Sequence, residues 1–139
     1  PEAIALVAGF NWGYDLTPVR TDPVDAAGVA YVTHPYPQKR EPPWEEKWQE
    51  DWGFVAERYP VMATEFGFMS ADARGAHIPV ISDETYGEAI IDFFEERGIS
   101  WTAWVFDPDW SPQLIESWEF EPTPQGRFFR EKLRELNVG

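Results

Sequence analysis

The sequence predicts an α/β fold built around a parallel β-sheet. Four short apolar segments are rich in β-branched and aromatic residues, a composition typical of buried parallel strands. They end near residues 10, 34, 65 and 106, a spacing close to the roughly 30 residues of one strand–helix unit. Segments with helical periodicity lie between and after them, so strands and helices alternate along the 139 residues.

The four predicted strands are Ala3–Phe10, Val29–His34, Val61–Glu65 and Ser100–Phe106. None of them alternates cleanly between apolar and polar residues, which predicts that both faces of each strand are covered. The segment at residues 14–28 contains two prolines and predicts a loop with at most one helical turn.

Three segments carry the signals of helices. The first follows Pro42–Pro43 and has an apolar face made of Trp44, Trp48, Trp52, Val55 and Tyr59. Asp83 is a suitable N-cap for the second helix, and Gly98 ends it. The third begins at Thr123–Pro124, where an N-cap residue is followed by proline at the first helical position.

The number of strands limits the architecture. Right-handed crossovers wound in one sense place every helix on the same face of the sheet, which leaves the other face and both edges of four strands uncovered. Either helices cross to the second face, as in a doubly wound fold, or something else closes the sheet. A (β/α)₈ barrel needs eight units and about 250 residues. A self-contained flavodoxin-like domain needs a phosphate-binding loop after its first strand, and residues 9–13 (GFNWG) match one poorly.

Composition excludes several classes of function. With 25 acidic and 11 basic residues the net charge is −14, which excludes nucleic acid as a partner. The absence of cysteine excludes disulfides, thiolate zinc sites and cysteine nucleophiles. No apolar run reaches the roughly 18 residues of a membrane span, and no loop has calcium-ligand spacing, so we expect no membrane, metal or cofactor partner. Because the chain begins at Pro1 and strand-like sequence follows at once, we expect a processed chain or a piece of a longer one.

Polar and aromatic residues follow the predicted strands at their carboxyl ends. In parallel α/β sheets these ends meet at one rim, where functional sites form. The residues at this rim are Asn11, Trp12, His34, Tyr36, Glu65, Trp104 and Asp107. As a set they suit sugar chemistry, because an indole stacks on a pyranose, a phenol hydroxyl orients a carboxylate and an imidazole donates to hydroxyls.

Each of these residues also has a structural explanation when it is taken alone. Glu65 fits an ion pair as well as a catalytic group. His34 fits a satisfied buried histidine, and Tyr36 and Trp104 fit packing positions. Trp110, on the loop after the last strand, fits a sugar-stacking platform or a brace for the final helix equally well.

Three segments make the sequence resemble a known family. They are VAYVTHPYP at residues 29–37, YPVMATEFG at residues 59–67 and ISWTAWVFDPDWSPQLI at residues 99–115. In this order they resemble the second half of glycoside hydrolase family 5, the cellulase family, from its fifth strand to its eighth helix. The resemblance implies that residues 1–139 are the C-terminal half-barrel of a glycoside hydrolase catalytic domain. That fold is half of a TIM (β/α)₈ barrel, with four parallel strands, helices on the outer face, and a partner half that completes it.

The resemblance also implies a retaining endo-glycosidase that acts on a β-1,4-linked polysaccharide. Glu65 resembles the nucleophile, which forms a glycosyl-enzyme. Tyr36 resembles the tyrosine that bonds this carboxylate, and His34 resembles the sixth-strand histidine at the cleaved bond. Trp104 resembles the tryptophan that forms the floor of that subsite. Further candidates for substrate binding are Asn11, Trp12, Asp107 and Trp110.

One part of the family's catalytic pair is missing from these residues. A retaining glycosidase needs two carboxylates roughly 5–5.5 Å apart. In the family the acid/base is the glutamate of an Asn-Glu-Pro segment on the fourth strand, and the 139 residues contain no such segment. We therefore expect an N-terminal half-barrel polypeptide, separated by cleavage or gene splitting, to supply this glutamate, and we expect the protein to be secreted. The alternative is a non-catalytic half-barrel that binds glycan or pairs with a second copy of itself.

Overall fold

The computed structural model describes residues 3–137, which form a four-stranded parallel sheet in the order β1-β2-β3-β4. The strands are β1 (Ala5–Ala8), β2 (Val29–Thr33), β3 (Val61–Ala63) and β4 (Ser100–Trp101). All three neighbouring pairs are parallel, which confirms the predicted half of a barrel.

The strands are shorter than the sequence predicted, and β4 shows why. Its regular pairing with β3 ends at Trp101, although the prediction continued to residue 106. Beyond this point the Thr102 amide donates to the Ala63 carbonyl at 2.9 Å and the Trp104 amide donates to the Phe66 carbonyl at 2.9 Å. The chain therefore runs on beside β3 through single hydrogen bonds rather than a regular ladder.

Three α-helices follow the strands: α1 (Glu45–Asp51), α2 (Glu84–Arg97) and α3 (Pro124–Leu136). The predicted ends of α2 are confirmed, because the Asp83 carboxylate accepts from the Thr85 amide and Gly98 adopts a left-handed conformation with φ of 62°. The N-cap of α3 is also confirmed, since the Thr123 hydroxyl accepts from the Gly126 amide at 3.0 Å.

The first predicted helix is interrupted. Residues of its apolar face continue past α1 into a 3₁₀ segment at Gly53–Glu57. A β-carbon on Gly53 would come within 2.7 Å of the Phe93 ring, so glycine allows this segment to approach α2 closely. Two further 3₁₀ segments are Thr17–Arg20, within the predicted loop, and Pro37–Lys39.

An aromatic core joins the three helices to the sheet. Trp48 of α1 packs edge-on against Phe93 of α2, with ring centroids 5.5 Å apart. Phe66, just after β3, packs edge-on against Phe94 of α2 at 5.1 Å and Phe129 of α3 at 5.2 Å. Each such pair contributes about 0.5–1.5 kcal/mol beyond the burial of its surface. Because the pairs join residues of the helices to residues beside the sheet, the core lies between the helices and the sheet.

The prediction that both faces of every strand are covered is wrong for the outer strands. In β1, Ala5, Leu6 and Ala8 are exposed, and Leu6 is 53% accessible. In β4, Ser100 is exposed and Trp101 is half-buried. Both edge strands of the sheet therefore carry exposed residues.

An apolar groove lies along the β4 edge, which we call the edge groove. It has a volume of about 830 Å³, and its main aromatic and aliphatic walls are Trp101, Phe106, Phe120, Phe129 and Leu133. Phe106 and Phe120 are exposed and stack on each other with centroids 5.8 Å apart. No helix in the described range 3–137 is both long and apolar enough to cross a membrane.

Candidate active site

The ends of β2 and β3 bring three predicted site residues together. Thr33 pairs with Ala63 in the parallel register, so His34 and Tyr36 follow one strand beside Glu65, which follows the other. The Glu65 carboxylate oxygen Oε2 lies 3.4 Å from the Tyr36 hydroxyl, which donates to it, and 3.7 Å from His34 Nδ1. About one third of the Glu65 side chain is exposed (33%), so the carboxylate is held on one side and open on the other.

Tyr36 stays protonated at neutral pH and donates its hydroxyl hydrogen to Glu65. Burial raises the pKa of the Tyr36 phenol well above its ordinary range, and the negative charge of Glu65 and the hydrogen bond to it raise it further. The hydrogen bond that this phenol donates restricts the orientation of the Glu65 carboxylate.

His34 is fixed on both sides of its ring. Nε2 lies 2.8 Å from the Thr64 hydroxyl. On the other side the ring packs against Gly13, where a β-carbon would come within 2.8 Å of Nδ1. Gly13 has φ of +79° and its carbonyl accepts from the His34 amide at 3.0 Å, so both the space and the backbone conformation favour glycine here.

Asn11 and Trp12 lie on a tight turn, Phe10–Gly13, that follows β1. Both residues have left-handed backbone angles, with φ of 55° and 56°. Two backbone hydrogen bonds between Phe10 and Asp15, at 2.8 and 2.9 Å, close the turn. Trp12 lies on this turn and is 86% exposed, so its indole ring presents a flat apolar surface to solvent.

Lys39 holds this turn, and sequence reasoning missed it. Its ammonium donates to the backbone carbonyl of Asn11 at 3.1 Å and to the side-chain oxygen of the same residue at 3.3 Å. The ammonium also lies 5.2 Å from the centre of the Trp12 ring, within range of a cation–π interaction. Burial lowers the pKa of Lys39 below its ordinary value. The Asn11 side chain is thus engaged within the protein.

Asp51 joins the turn after β1 to the loop after β2. The Tyr14 hydroxyl donates to its Oδ2 at 2.6 Å, and the Arg40 guanidinium donates to both carboxylate oxygens at 2.7 Å. Burial alone would raise the pKa of Asp51, but the hydrogen bonds from Arg40 and Tyr14 hold it below the ordinary value. Burial and the neighbouring Asp51 carboxylate raise the pKa of Tyr14, so this phenol stays protonated.

The remaining predicted residues lie on the segment after β4. Trp104 is half-buried, and its carbonyl accepts from the Gln125 amide at 3.2 Å. The Asp107 carboxylate accepts from the Asp109 amide at 2.7 Å, which uses one of its oxygens in a local turn. Trp110 is 66% exposed. Within the described chain none of the three forms a hydrogen bond with Glu65, Tyr36 or His34.

Glu65 does not line either of the two larger apolar cavities of the described chain. Neither the edge groove nor a second cavity of about 630 Å³ includes Glu65, His34 or Tyr36 in its walls. The described part of the chain also contains no cluster of three or more residues that could hold a metal ion. The arrangement offers a carboxylate with a hydrogen-bond donor behind it and an accessible front, which is what a nucleophile needs.

Comparisons with known proteins agree with this fold. A family model described as cellulase (glycosyl hydrolase family 5) matches residues 1–109. The comparison with curated proteins found no match. Among solved structures, the chain is similar to the β-glucanase SdGluc5_26A from Saccharophagus degradans in complex with cellotetraose, with 48% identity and a TM-score of 0.93. The match covers 96% of this chain and 41% of that one.

A more distant structure shows the same fold. The catalytic domain of the endoglucanase Cel5A from Thermobifida fusca has 23% identity and a TM-score of 0.72. That match covers 96% of this chain and 47% of the other. The chain therefore spans less than half the length of these two similar proteins.

Proposed function

Because the chain belongs to glycosyl hydrolase family 5, the cellulase family, we propose that it supplies the nucleophile half of a retaining endo-glycosidase. The observation that carries this proposal is the Glu65 carboxylate, oriented by the Tyr36 hydroxyl at 3.4 Å and open on its other side. The substrate class we propose is a β-1,4-linked polysaccharide, since a 48% identical β-glucanase binds cellotetraose.

In the proposed mechanism Glu65 attacks the anomeric carbon of the sugar. A bond forms between this carbon and a carboxylate oxygen, while the bond to the leaving glycosidic oxygen breaks. Water then attacks the same carbon and releases Glu65, so the configuration of the product is retained. Tyr36 keeps the carboxylate oriented before the attack.

His34 and the aromatic residues would bind the sugar around this carbon. The imidazole is fixed by Thr64 and Gly13, so it presents a constant edge to sugar hydroxyls beside Glu65. We propose Trp104 as the floor of the subsite at the cleaved bond. Trp12 and Trp110 expose flat indoles that suit stacking at neighbouring subsites. Asn11 and Asp107 would contribute only the oxygen and nitrogen atoms that their local contacts leave unused.

The acid/base must come from outside these residues. We propose that an N-terminal half-barrel carries this glutamate and pairs with the edges of β1 and β4, so that residues 1–139 form the C-terminal half of one catalytic domain. Exposed Leu6 on β1 and the edge groove beside β4 suit such a partner, because burying their apolar surface is favourable. Without the acid, general acid–base help worth about 10²–10⁴-fold in rate would be lost.

The same exposed edges favour a second candidate function. Two copies of the chain could cover each other's edges and form a symmetric dimer that binds glycan without cutting it. Such a dimer would hold two Glu65 residues and no Asn-Glu-Pro acid. Native mass spectrometry separates the two: the first proposal expects the N-terminal half in the particle, and a pure homodimer would support the second.

The test of Glu65 uses the complete barrel, by which we mean this chain together with the N-terminal half. We expect Glu65→Gln to lower kcat on soluble β-glucan by about 10³-fold or more, because the amide cannot form the glycosyl-enzyme. Glu46→Gln is the matched control, since Glu46 is an exposed glutamate on α1. A loss of only a few-fold in Glu65→Gln would remove Glu65 from the role of nucleophile.

A polymeric substrate would have to be cut outside the cell, and secretion is therefore part of the proposal. If the protein is secreted, we expect to recover the complete barrel from the culture medium rather than from the cell extract.

A further inference from the structure

The loops after β3 and β4 enclose a second cavity, which we call the loop cavity. Its volume of about 630 Å³ lies within the roughly 300–1,000 Å³ of small-molecule sites. Its walls come from residues 68–70, 73–74, 82–85, 113, 115–116 and 123–125. These segments all belong to the present chain.

Gln113 is the polar group in these walls that most needs a partner. Its residue is only 8% exposed, yet its side-chain amide makes no hydrogen bond to any residue in the range 3–137. Within that range Trp52 Nε1 is the one fully buried side-chain nitrogen or oxygen without a partner, so the Gln113 amide faces space that solvent reaches. A ligand hydroxyl that pairs with this amide would therefore take the place of solvent.

The loop after β3, which forms part of the cavity wall, is held by a hydrogen bond to the segment after β4. The Arg74 guanidinium donates to the Pro108 carbonyl at 2.7 Å, which ties the loop after β3 to the segment after β4. Next to it Gly75 has φ of +87° and packs against Ser111, and a β-carbon there would lie 3.7 Å from Gln113 Nε2. These contacts restrict the loop, which reduces the cost of ordering it on binding.

The charges and polarity of the walls indicate the class of ligand. Three carboxylates at the cavity, Asp83, Glu84 and Glu116, outnumber the Arg74 cation, which disfavours anions. Apolar walls, including Phe68, alternate with hydroxyl groups and the Gln113 amide. A neutral molecule that has both C–H faces and many hydroxyls satisfies these surfaces together.

We propose that the loop cavity binds a short neutral oligosaccharide, separately from the Glu65 site. This proposal rests on the proposed function, because a β-glucan hydrolase generates such molecules as products. The walls of the cavity do not include Glu65, Tyr36 or His34, so a substitution in the cavity can remove binding there without changing these three residues.

The test measures cellotriose binding to the complete barrel by calorimetry, in a Glu65→Gln background that does not consume the ligand. We expect two classes of site. Ala73→Trp should fill the cavity and remove one of them, whereas Ala71→Trp, two residues earlier on the same loop and outside the walls, should leave both. Gln113→Leu should weaken the same site about 10-fold and preserve folding, because the amide holds no other residue of the described chain.

Three results would overturn the proposal: a single class of site, a second site that survives both Ala73→Trp and Gln113→Leu, or equal losses in Ala71→Trp and Ala73→Trp. Failure of the proposed function is distinguishable, because it appears as continued hydrolysis by Glu65→Gln. In that event binding to the cavity is still read from the difference between the two tryptophan variants, measured before product accumulates.

Discussion

Replacing Asp51 with asparagine should loosen both loops beside Glu65 while leaving the volume of the side chain unchanged. Tyr14 directly follows the turn that carries Asn11 and Trp12, and Arg40 directly follows Lys39. Because one carboxylate accepts from both Tyr14 and Arg40, it fixes the distance between the two loops.

The size of the effect follows from the burial of each partner. The Asp51 side chain is 8% exposed, so the hydrogen bond from Tyr14 at 2.6 Å is a charged bond in a largely dry site, worth about 1.5–3 kcal/mol. The Arg40 side chain is 48% exposed, so solvent screens its ion pair with Asp51, and the pair contributes about 1 kcal/mol or less to the free energy of unfolding. An amide retains part of the Tyr14 bond. We therefore expect Asp51→Asn to lower the free energy of unfolding by about 2–3 kcal/mol.

Urea denaturation of the complete barrel measures this loss, with Asp92→Asn, an exposed aspartate on α2, as the control. The double variant with Tyr14→Phe should lose less than the sum of the two single variants, because they remove the same bond. The proposed role of Asp51 would be refuted if Asp51→Asn lowered the free energy of unfolding by less than about 0.5 kcal/mol. It would also be refuted if the losses in the two single variants added exactly in the double variant.

The pH dependence has a definite sign. The folded-state pKa of Asp51 lies below its ordinary value, so its contribution to stability is full above about pH 4, the unfolded pKa, and declines as pH falls through the folded pKa. The difference in stability between wild type and Asp51→Asn should therefore shrink below about pH 4 and be constant from pH 5 to 7.

Two further predictions concern the turn after β1. Gly13→Ala should lower kcat and destabilise the barrel by about 1–2 kcal/mol, because its β-carbon would displace the His34 ring. Gly28→Ala is the control for left-handed strain, since Gly28 has φ of +73° with its nearest neighbour at 3.5 Å. Lys39→Met should raise KM about 3- to 10-fold with a smaller change in kcat, because it frees the turn that presents Trp12, and Lys39→Arg should restore part of the loss.

Much of the framework could be predicted because its signals are local. The β-branched residues of β2 and β3, the N-cap at Asp83 and the left-handed Gly98 each depend on a few neighbouring residues. The meeting of His34 with Glu65 also follows from local signals, since residues that end adjacent parallel strands must lie side by side. The resemblance to the cellulase family added the roles proposed for these residues.

The contacts that hold the site could not be predicted in the same way. Lys39 lies in a polar loop, and the left-handed backbone angles of Trp12 are rare for a bulky aromatic residue. Asp51 had one usable signal: it falls three residues after Trp48 and four before Val55, on the buried face of α1. An aspartate at a core position needs charged or donating partners, although the sequence does not say which.

Under the proposed function, the exposed edges of the sheet and the open side of Glu65 have the same explanation. Leu6 on β1 and the edge groove beside β4 lie at the two lines along which four strands fall short of a closed barrel. Under the proposed function, a partner that closes the sheet there would bury apolar surface and would also form the other side of the cleft in front of Glu65. A second copy of this chain would also bury the edges, but it would face Glu65 with another nucleophile. The partner that best satisfies both requirements is an N-terminal half-barrel that brings a proton donor, so stability and catalysis would be completed by the same contact.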